Sequence, residues 1–313
     1  MRRYYILLHG GLGGSLRILV TGASGLLGSK LTEILVKKGY DVYAGYNSHR
    51  PLNGHPIKFN VSYKEEVKKA FEIVGPDVVI HAAALTNVDK CEVDKELAWR
   101  INVIGTRNIA KLSKQYGSFL IYISTDYVFK GDRGMYREDD EPNPINYYGF
   151  TKLKGEEEVR RIMEEYCIAR TSVIYGSIPA TGKINFALWV LKKLRKNEQV
   201  NIVTDQWNSP TLNTNLAEMI LEMFERKIIG IYHLAGATRI NRYEFAKLVA
   251  KTFNLNENLI LPISSINLQW IAKRPKDSSL NVSKAIQVLH NKPLSIKESL
   301  EILRRELLED RES

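Results

Sequence analysis

The stretch RILVTGASGLLGSKLTEILVKKGYDVYAGY, residues 17–46, decides the fold. A short apolar run is followed by three glycines, Gly22, Gly25 and Gly28, and then by apolar residues at helical spacing. A second apolar run begins after Gly39, a residue typical of helix ends. This order of strand, glycine turn, helix and strand predicts a βαβ unit.

The glycine turn has the pattern expected of a dinucleotide-binding site. Glycine allows the backbone to turn tightly and lets a pyrophosphate approach it closely. The helix after the turn would direct its free N–H groups and the positive end of its dipole at the phosphates. We therefore predict that Gly22, Gly25 and Gly28 line the pyrophosphate of a dinucleotide cofactor.

A second glycine cluster lies upstream, at Gly10, Gly11, Gly13 and Gly14. A strand follows this cluster rather than a helix, so the reason for phosphate binding is missing. We expect residues 1–16 to form an N-terminal extension. Our hypothesis is that Leu16 is the native initiator and that the preceding residues come from a misassigned start codon.

Composition bounds the class of protein. The chain has 313 residues, of which 44% are hydrophobic, and a formal net charge of +10. It contains no apolar run of the roughly 20 residues that a bilayer requires, so we expect no membrane association. The basic charge favours anionic partners, but no RNA-binding motif or zinc finger accompanies it, so we expect no nucleic acid. Two cysteines without metal-ligand spacing indicate the cytoplasm.

Apolar strands alternate with helical segments as far as residue 176. This alternation predicts an α/β fold with a doubly wound parallel sheet, a Rossmann fold. We assign residues 17–176 and about 212–236 to this domain, and about 177–211 and 237–313 to a smaller C-terminal substrate-binding lobe. The sequence also predicts a capping box from Ser62 to Glu65, a single long helix from Glu96 to Gly117, and a helix capped by Asn241.

The end of the second strand reports on the choice of cofactor. A carboxylate there would hold the ribose 2′-hydroxyl of NAD and repel a 2′-phosphate. Residues 44–51, AGYNSHRP, contain no acid, whereas Asn47, Ser48 and Arg50 could bind a phosphate. We therefore predict NADPH as the cofactor, with NADH as a possible substitute.

Three residues have the pattern of a carbonyl-reducing site. Thr125 ends a buried strand, and Tyr148 and Lys152 lie four residues apart on one face of a helix. A neighbouring cation favours the phenolate and lowers the pKa of a tyrosine, which is ordinarily about 10. We predict that Tyr148 donates a proton to a carbonyl oxygen, that Lys152 lowers its pKa, and that Thr125 orients the carbonyl.

The chain resembles the extended short-chain dehydrogenase/reductases, and within them the dTDP-4-dehydrorhamnose reductase family. The similar motifs are ILVTGASGLLG, PDVVIHAAALTNVDKCE, INVIGT, ISTDYVFKG, YYGFTKLKGE, ARTSVIYG and DQWNSPT, within residues 18–211. The resemblance implies catalysis by Thr125, Tyr148 and Lys152. It also implies that Tyr148 and Lys152 bind the cofactor. It implies further cofactor contacts from Ser24, Leu26, Leu27, Asn60, Val61, Ala82, Ala83 and Ala84, and substrate contacts from Thr86, Asp126, Tyr127, Gln206 and Asn208.

The activity implied is the reduction by NADPH of the 4-keto group of a dTDP-linked 6-deoxyhexulose, in dTDP-L-rhamnose biosynthesis. A homodimer is also implied, and no residues can be assigned as metal ligands. Two positions depart from the family pattern: Val173 replaces a tryptophan of the substrate pocket, and Asn60 replaces an aspartate beside the adenine. An alternative stays open, because the NADP-binding regulatory β subunit of methionine adenosyltransferase is similar over the same region.

Overall fold

The computed structural model describes residues 16–178 and 184–312. The upstream glycine cluster and the rest of the predicted extension, apart from Leu16, lie outside these residues. The strands are β1 Arg17–Thr21, β2 Asp41–Tyr46, β3 His55–Lys58, β4 Val78–His81, β5 Phe119–Thr125, β6 Tyr166–Thr171, β7 Ile174–Tyr175, β8 Val200–Val203, β9 Trp207–Asn208, β10 Thr211–Leu212, β11 Gly230–His233, β12 Ile240–Asn241 and β13 Ile260–Ile263.

The described α-helices alternate with these strands through the first half of the chain. They are α1 Leu26–Lys37, α2 Lys64–Val74, α3 Val88–Val93, α4 Lys95–Trp99, α5 Thr106–Tyr116, α6 Tyr147–Ile162, α7 Phe186–Leu194, α8 Asn213–Glu225, α9 Arg242–Thr252, α10 Ser283–Val288 and α11 Ile296–Glu312. Within the described ranges, no helix has the length and apolar character needed to cross a bilayer.

The main sheet contains seven parallel strands in the order β3-β2-β1-β4-β5-β6-β11. The prediction of a doubly wound parallel sheet is therefore confirmed. The strand order reverses between β1 and β4, because the chain goes from β1 outward to β3 and returns to β4 on the other side. In open sheets of this kind, ligands bind beyond the carboxyl ends of the strands at that reversal.

Each face of the sheet has its own apolar core, because successive strand residues point to opposite faces. Ile18 and Val20 pack on one face with residues of α1 and α8, such as Leu31 and Leu216. Leu19 belongs to the core on the opposite face, which includes residues of α2, α5 and α6. Both faces are thus covered by helices, so a ligand can reach the sheet only at its edges.

A further core lies away from the sheet and joins α7, α9 and α11 through residues such as Leu191, Phe245 and Leu300. Strand β11 returns to the main sheet, where it pairs with β6. The division into a sheet domain and a C-terminal lobe stays a prediction. We use C-terminal lobe below for residues 184–211 and 237–312.

The predicted capping box at the start of α2 is wrong. Ser62 donates its N–H and its hydroxyl to Oδ1 of Asn60, at 3.0 and 2.8 Å, so its side chain does not cap the helix. The carboxylate of Glu66, rather than that of Glu65, accepts the backbone N–H of Asn60 at 2.7 Å. The amide of Asn60 competes successfully for Ser62 and forms a turn before the helix begins.

The single long helix predicted from Glu96 is interrupted by a π-helical segment at Arg100–Gly105 between α4 and α5. Within it, Asn102 accepts the N–H of Leu85 at 2.8 Å and donates to the Leu85 carbonyl and to Oγ1 of Thr151, at 3.2 and 3.0 Å. The segment therefore connects the loop after β4 to α6. The predicted cap of α9 is correct, because Asn241 accepts the N–H of Glu244 at 2.8 Å.

Candidate active site

A cavity of about 700 Å³ lies at the carboxyl ends of the central strands. Most of the residues predicted for the site line it. They are Gly22, Ser24, Gly25, Leu26, Leu27, Gly28, Asn47, Ser48, Asn60, Val61, Ala82, Ala83, Ala84, Thr86, Thr125, Asp126, Tyr127, Tyr148 and Lys152. The fold thus brings residues 22–28 and residues 125–152 to one cavity, although they are about a hundred positions apart in the chain.

The glycine turn has the geometry of a phosphate cradle. Gly22 has φ of +69°, and a Cβ there would lie 2.8 Å from the backbone nitrogen of Ala83. A Cβ on Gly28 would lie 2.2 Å from the carbonyl oxygen of Gly22. Helix α1 begins at Leu26 with no side chain bonded to its first N–H groups. The residues of this first turn line the cavity, and their free N–H groups are suited to donate to the pyrophosphate of a dinucleotide.

The far end of the turn region is formed by Asn47, Ser48 and His49. Arg50, which we predicted as a cofactor contact, is exposed and does not line the cavity. It precedes Pro51, and the residue before a proline is restricted to extended backbone. Asn60 does line the cavity, but its Oδ1 already accepts both bonds from Ser62. Only its NH₂ group is left for a ligand.

Thr125 and Tyr148 come together where β5 ends and α6 begins. Asn146 caps α6 by accepting the N–H of Gly149 at 2.9 Å, which places Tyr148 in the first turn. Thr125 donates its hydroxyl to Oδ1 of Asp126 at 3.0 Å and accepts the N–H of Tyr127 at 3.2 Å. The hydroxyl of Thr125 is thereby oriented by its own neighbours.

Burial raises the pKa of Tyr148, and a hydrogen bond with Thr125 opposes that increase. Lys152 is directed elsewhere: its Nζ donates to the carbonyl of Ile123 at 2.7 Å and lies 4.0 Å from the ring centroid of Tyr122. Burial lowers the pKa of Lys152 to about 7, while the Coulombic effect of Glu156 acts in the opposite direction. The lysine can therefore gain or lose its charge near neutral pH.

Behind Lys152 lies a buried ion pair. Arg170 donates to both carboxylate oxygens of Glu156, at 2.9 Å from Nε and 2.7 Å from Nη2. Ser124 donates to the same carboxylate at 2.5 Å. Arg170 is held in this pair and does not line the cavity. Its neighbour Thr171 does line the cavity.

The family model described as the RmlD substrate binding domain matches residues 16–308. The chain belongs to this family. The match covers the glycine turn, the catalytic candidates and most of the C-terminal lobe.

Relatives in this family carry different names. Spore coat polysaccharide biosynthesis protein SpsK of Bacillus subtilis is 35% identical over 298 residues, which are 95% of this chain and 98% of SpsK. Methionine adenosyltransferase 2 subunit beta of Xenopus laevis is 35% identical over 86% of this chain and 81% of its own length. The crystal structure of dTDP-4-dehydrorhamnose reductase from Bacillus anthracis in complex with NADP is 34% identical. It superposes with a TM-score of 0.84 over 94% of this chain and 100% of that one.

Two residues predicted as substrate contacts do not line the cavity of this family member. Gln206 is buried and accepts a hydrogen bond from Arg242 through its Oε1. Asn208 is buried in β9, which pairs antiparallel with β12. Gln206 is therefore linked to the cavity through Arg242, which does line it.

The C-terminal lobe contributes cavity residues that sequence reasoning missed: Ile184, Asn185, Phe186 and Arg242. They begin helices α7 and α9 or directly precede them. The predicted Asn241 cap was the one local signal, since it marked the start of a helix beside Arg242. Val173, the position that departs from the family pattern, also lines the cavity, with φ of +38°. A β-branched residue rarely adopts this conformation, so its backbone is strained.

Proposed function

We propose that the protein is an NADPH-dependent reductase that acts on the 4-keto group of a dTDP-linked 6-deoxyhexulose. The observation that carries the proposal is one cavity lined by both a phosphate-binding glycine turn and the trio Thr125, Tyr148 and Lys152. A dinucleotide held at the turn would share that cavity with a proton donor. The names of the family relatives support the sugar nucleotide as the substrate class.

The nicotinamide would supply the hydride that reduces the carbonyl carbon. Tyr148 donates a proton to the carbonyl oxygen. Thr125 holds that oxygen in place once its hydroxyl turns from Asp126 and donates to the substrate instead. Lys152, when protonated, stabilises the tyrosinate left behind and holds the nicotinamide ribose hydroxyls. The hydrogen bond from Lys152 to Ile123 would then have to be shared or exchanged.

The phosphate-tolerant end of the cavity supports NADPH over NADH. Asn47, Ser48 and His49 line this region, and Asp126 is the one carboxylate among the described lining residues. A 2′-phosphate would thus meet hydrogen-bond donors and no acid at the carboxyl end of β2. The structure from Bacillus anthracis is also a complex with NADP. Comparing the dissociation constants of NADPH and NADH tests this assignment, and equal constants would contradict it.

The second candidate function is that of an NADP-binding regulatory subunit similar to the methionine adenosyltransferase β subunit. The identity of 35% to that subunit from Xenopus laevis favours it, and so does Val173 in place of the tryptophan of the bacterial reductases. Such a protein would bind the cofactor in the same cavity and act through a partner.

The two functions are separated by one assay. The purified protein is mixed with NADPH and dTDP-4-dehydro-6-deoxy-L-mannose, and the absorbance of NADPH is followed. Oxidation that depends on both components supports the reductase. Failure to oxidise NADPH, together with co-purification of a methionine adenosyltransferase from the native cell, would support the regulatory subunit instead.

We also propose that the protein acts in the cytoplasm as a homodimer. Cys91 and Cys167 are buried free thiols, which suits a reducing compartment. Light scattering of the purified protein tests the oligomeric state, and a monomer mass would contradict the dimer.

A further inference from the structure

Among the residues that the structure describes, Arg242 has no anionic partner, although its side chain is half-buried at the cavity wall. Its described partners are neutral: Oε1 of Gln206, the hydroxyl of Tyr127, and the ring of Phe186, whose centroid lies 5.3 Å from the guanidinium carbon. Two nearby arginines differ, since Arg239 pairs with Asp277 at 2.6 Å and Arg274 pairs with Asp89 at 2.9 Å. Within the described residues, no ion pair includes Arg242.

Arg242 also lies at a position in its own helix that is unfavourable for a positive charge. Arg242 is the first residue of α9, a helix of 11 residues, directly after the Asn241 cap. A cation at a helix N-terminus is disfavoured by the helix dipole, whereas an anion is favoured there. The positive charge therefore gains nothing from its own helix. A negatively charged ligand would be attracted by the guanidinium and by the helix end together.

Other charges near the cavity do not neutralise Arg242. The carboxylate of Asp126 is already held by the hydroxyls of Ser172, Ser278 and Thr125, at 2.8, 2.6 and 3.0 Å. The ammonium of Lys152 is bonded to a backbone carbonyl. The part of the cavity wall that comes from the C-terminal lobe thus carries a positive charge with no ion-pair partner among the described residues.

We infer that Arg242 forms the subsite for the diphosphate of the nucleotide-linked substrate. The glycine turn belongs to the sheet, whereas Arg242 comes from the C-terminal lobe, so the cavity has two separate phosphate-binding features. The inference rests on the proposed function in taking a nucleotide sugar as the substrate. Gln206 and Phe186 hold the guanidinium in place, which gives Gln206 a positioning role instead of the direct substrate contact expected from the sequence.

The test measures binding to the protein saturated with NADP⁺, so that the dinucleotide site is filled. Isothermal titration compares dTDP and UDP with thymidine and uridine, which lack the phosphates. The variants are Arg242→Gln, which removes the charge, and Arg242→Lys, which keeps it. Lys192→Gln is the matched control, because Lys192 is an exposed cation of the same lobe that does not line the cavity.

We expect Arg242→Gln to weaken binding of the tighter nucleoside diphosphate by about tenfold or more, because it loses a charge-assisted hydrogen bond. Arg242→Lys should lose less, and Lys192→Gln should match the wild type. Binding of the nucleoside should hardly change in any variant. An equal loss for nucleoside and diphosphate, an unchanged affinity in Arg242→Gln, or wild-type protein that binds neither diphosphate would each overturn the inference.

A readout of NADP⁺ binding completes the design. Arg242→Gln should bind NADP⁺ as the wild type does, which shows that the variant is folded. If the wild type binds dTDP through Arg242 but does not oxidise NADPH with the sugar nucleotide, the proposed reductase function fails and the diphosphate subsite stands. If turnover is seen but Arg242 does not affect diphosphate binding, the reductase stands and this inference fails.

Discussion

At the scale of single residues, the cavity combines groups whose pKa values are shifted in opposite directions. Burial raises the pKa of Tyr148 and lowers that of Lys152 to about 7. A tyrosine with a raised pKa retains its proton in the resting site, and a lysine with a lowered pKa changes charge near neutral pH. The raised pKa makes Tyr148 a weaker acid, so proton donation depends on a protonated Lys152 that stabilises the tyrosinate.

The substitution Tyr148→Phe tests the proton donor. It removes one hydroxyl from a half-buried ring that packs edge-on to Tyr127, at 6.0 Å between centroids, so the fold should be retained. We expect turnover to fall by about two to four orders of magnitude, because the general acid is lost. NADPH binding should stay within error of the wild type. Full activity in this variant would contradict the mechanism.

The buried carboxylate of Glu156 is expected to set the pH range of activity. Activity requires protonated Lys152, so kcat/KM of the wild type should fall as the pH rises through about 7. The Coulombic effect of Glu156 raises the pKa of Lys152. Glu156→Gln should therefore move the fall to lower pH, and it retains an oxygen that can accept from Arg170.

The control for this variant is Glu157→Gln, which removes the same charge one position further along the same helix. Glu157 is partly exposed and pairs with Lys154 at 2.7 Å, away from the buried network. Its pH profile should match that of the wild type. Identical midpoints for both variants would show that Glu156 does not act on Lys152.

Sequence reasoning found the residues whose role follows from local spacing. Tyr148 and Lys152 lie one helical turn apart, and Thr125 ends a strand, so their place at one cavity could be predicted. The role that we propose for Arg242 could not be predicted in this way. It depends on the absence of an anionic partner among the described residues, which only the folded structure reveals. The contact predicted for Arg50 stays a prediction: charge alone suggested it, and the structure leaves the side chain exposed and outside the cavity lining.

At the scale of elements, the glycine turn depends on contacts between backbones. A Cβ on Gly28 would overlap the carbonyl of Gly22 at 2.2 Å, and neither backbone has a flexible end that could give way. We expect Gly28→Ala to open the turn, lower thermal stability and weaken NADPH binding by about tenfold or more. The loss arises because strand and helix must separate, which displaces the phosphate-binding N–H groups.

Gly39→Ala is the matched control for the turn. Gly39 has φ of +82°, but nothing lies within 4 Å of an added Cβ. The substitution should cost about 1 kcal/mol of stability through backbone strain alone. Calorimetry and NADPH titration of the two variants measure both effects. Unchanged cofactor affinity in Gly28→Ala would show that the turn tolerates a side chain.

The boundaries of strands and helices were predicted where hydrophobic periodicity determines them. Strand β5 starts with five apolar residues and is buried along its whole length, and the strand predicted to end at Thr125 was correct. The capping box at Ser62 was wrong because the hydroxyl of Ser62 donates instead to the side-chain oxygen of Asn60, two residues earlier. Such competition depends on geometry within a turn, which a residue pattern does not contain.

At the scale of the whole molecule, the two ligands should stabilise different parts of the chain. NADPH is expected at the glycine turn of the sheet, and the substrate diphosphate at the start of α9 in the C-terminal lobe. Hydrogen exchange should therefore slow at residues 22–28 when NADPH is added. It should slow at the beginning of α7 and α9 only when dTDP follows.

Mass spectrometry of the exchanged protein can distinguish these segments. Protection of both regions by NADPH alone would contradict separate sites and would indicate that the lobe closes on the cofactor.

The order of strands in the sheet could be anticipated from the alternation of strands and helices. The packing of the lobe could not, because its short strands pair across long separations, as β8 does with β13.

The π-helical segment Arg100–Gly105 limits how this chain can be redesigned. A π turn holds one residue more than an α-helical turn, so the segment accommodates a residue that a regular α-helix would not. The surplus residue places Asn102 where it joins the loop at Leu85 to Thr151, next to Lys152. An engineer who regularised this helix by deleting one residue would gain a better helix and lose that connection.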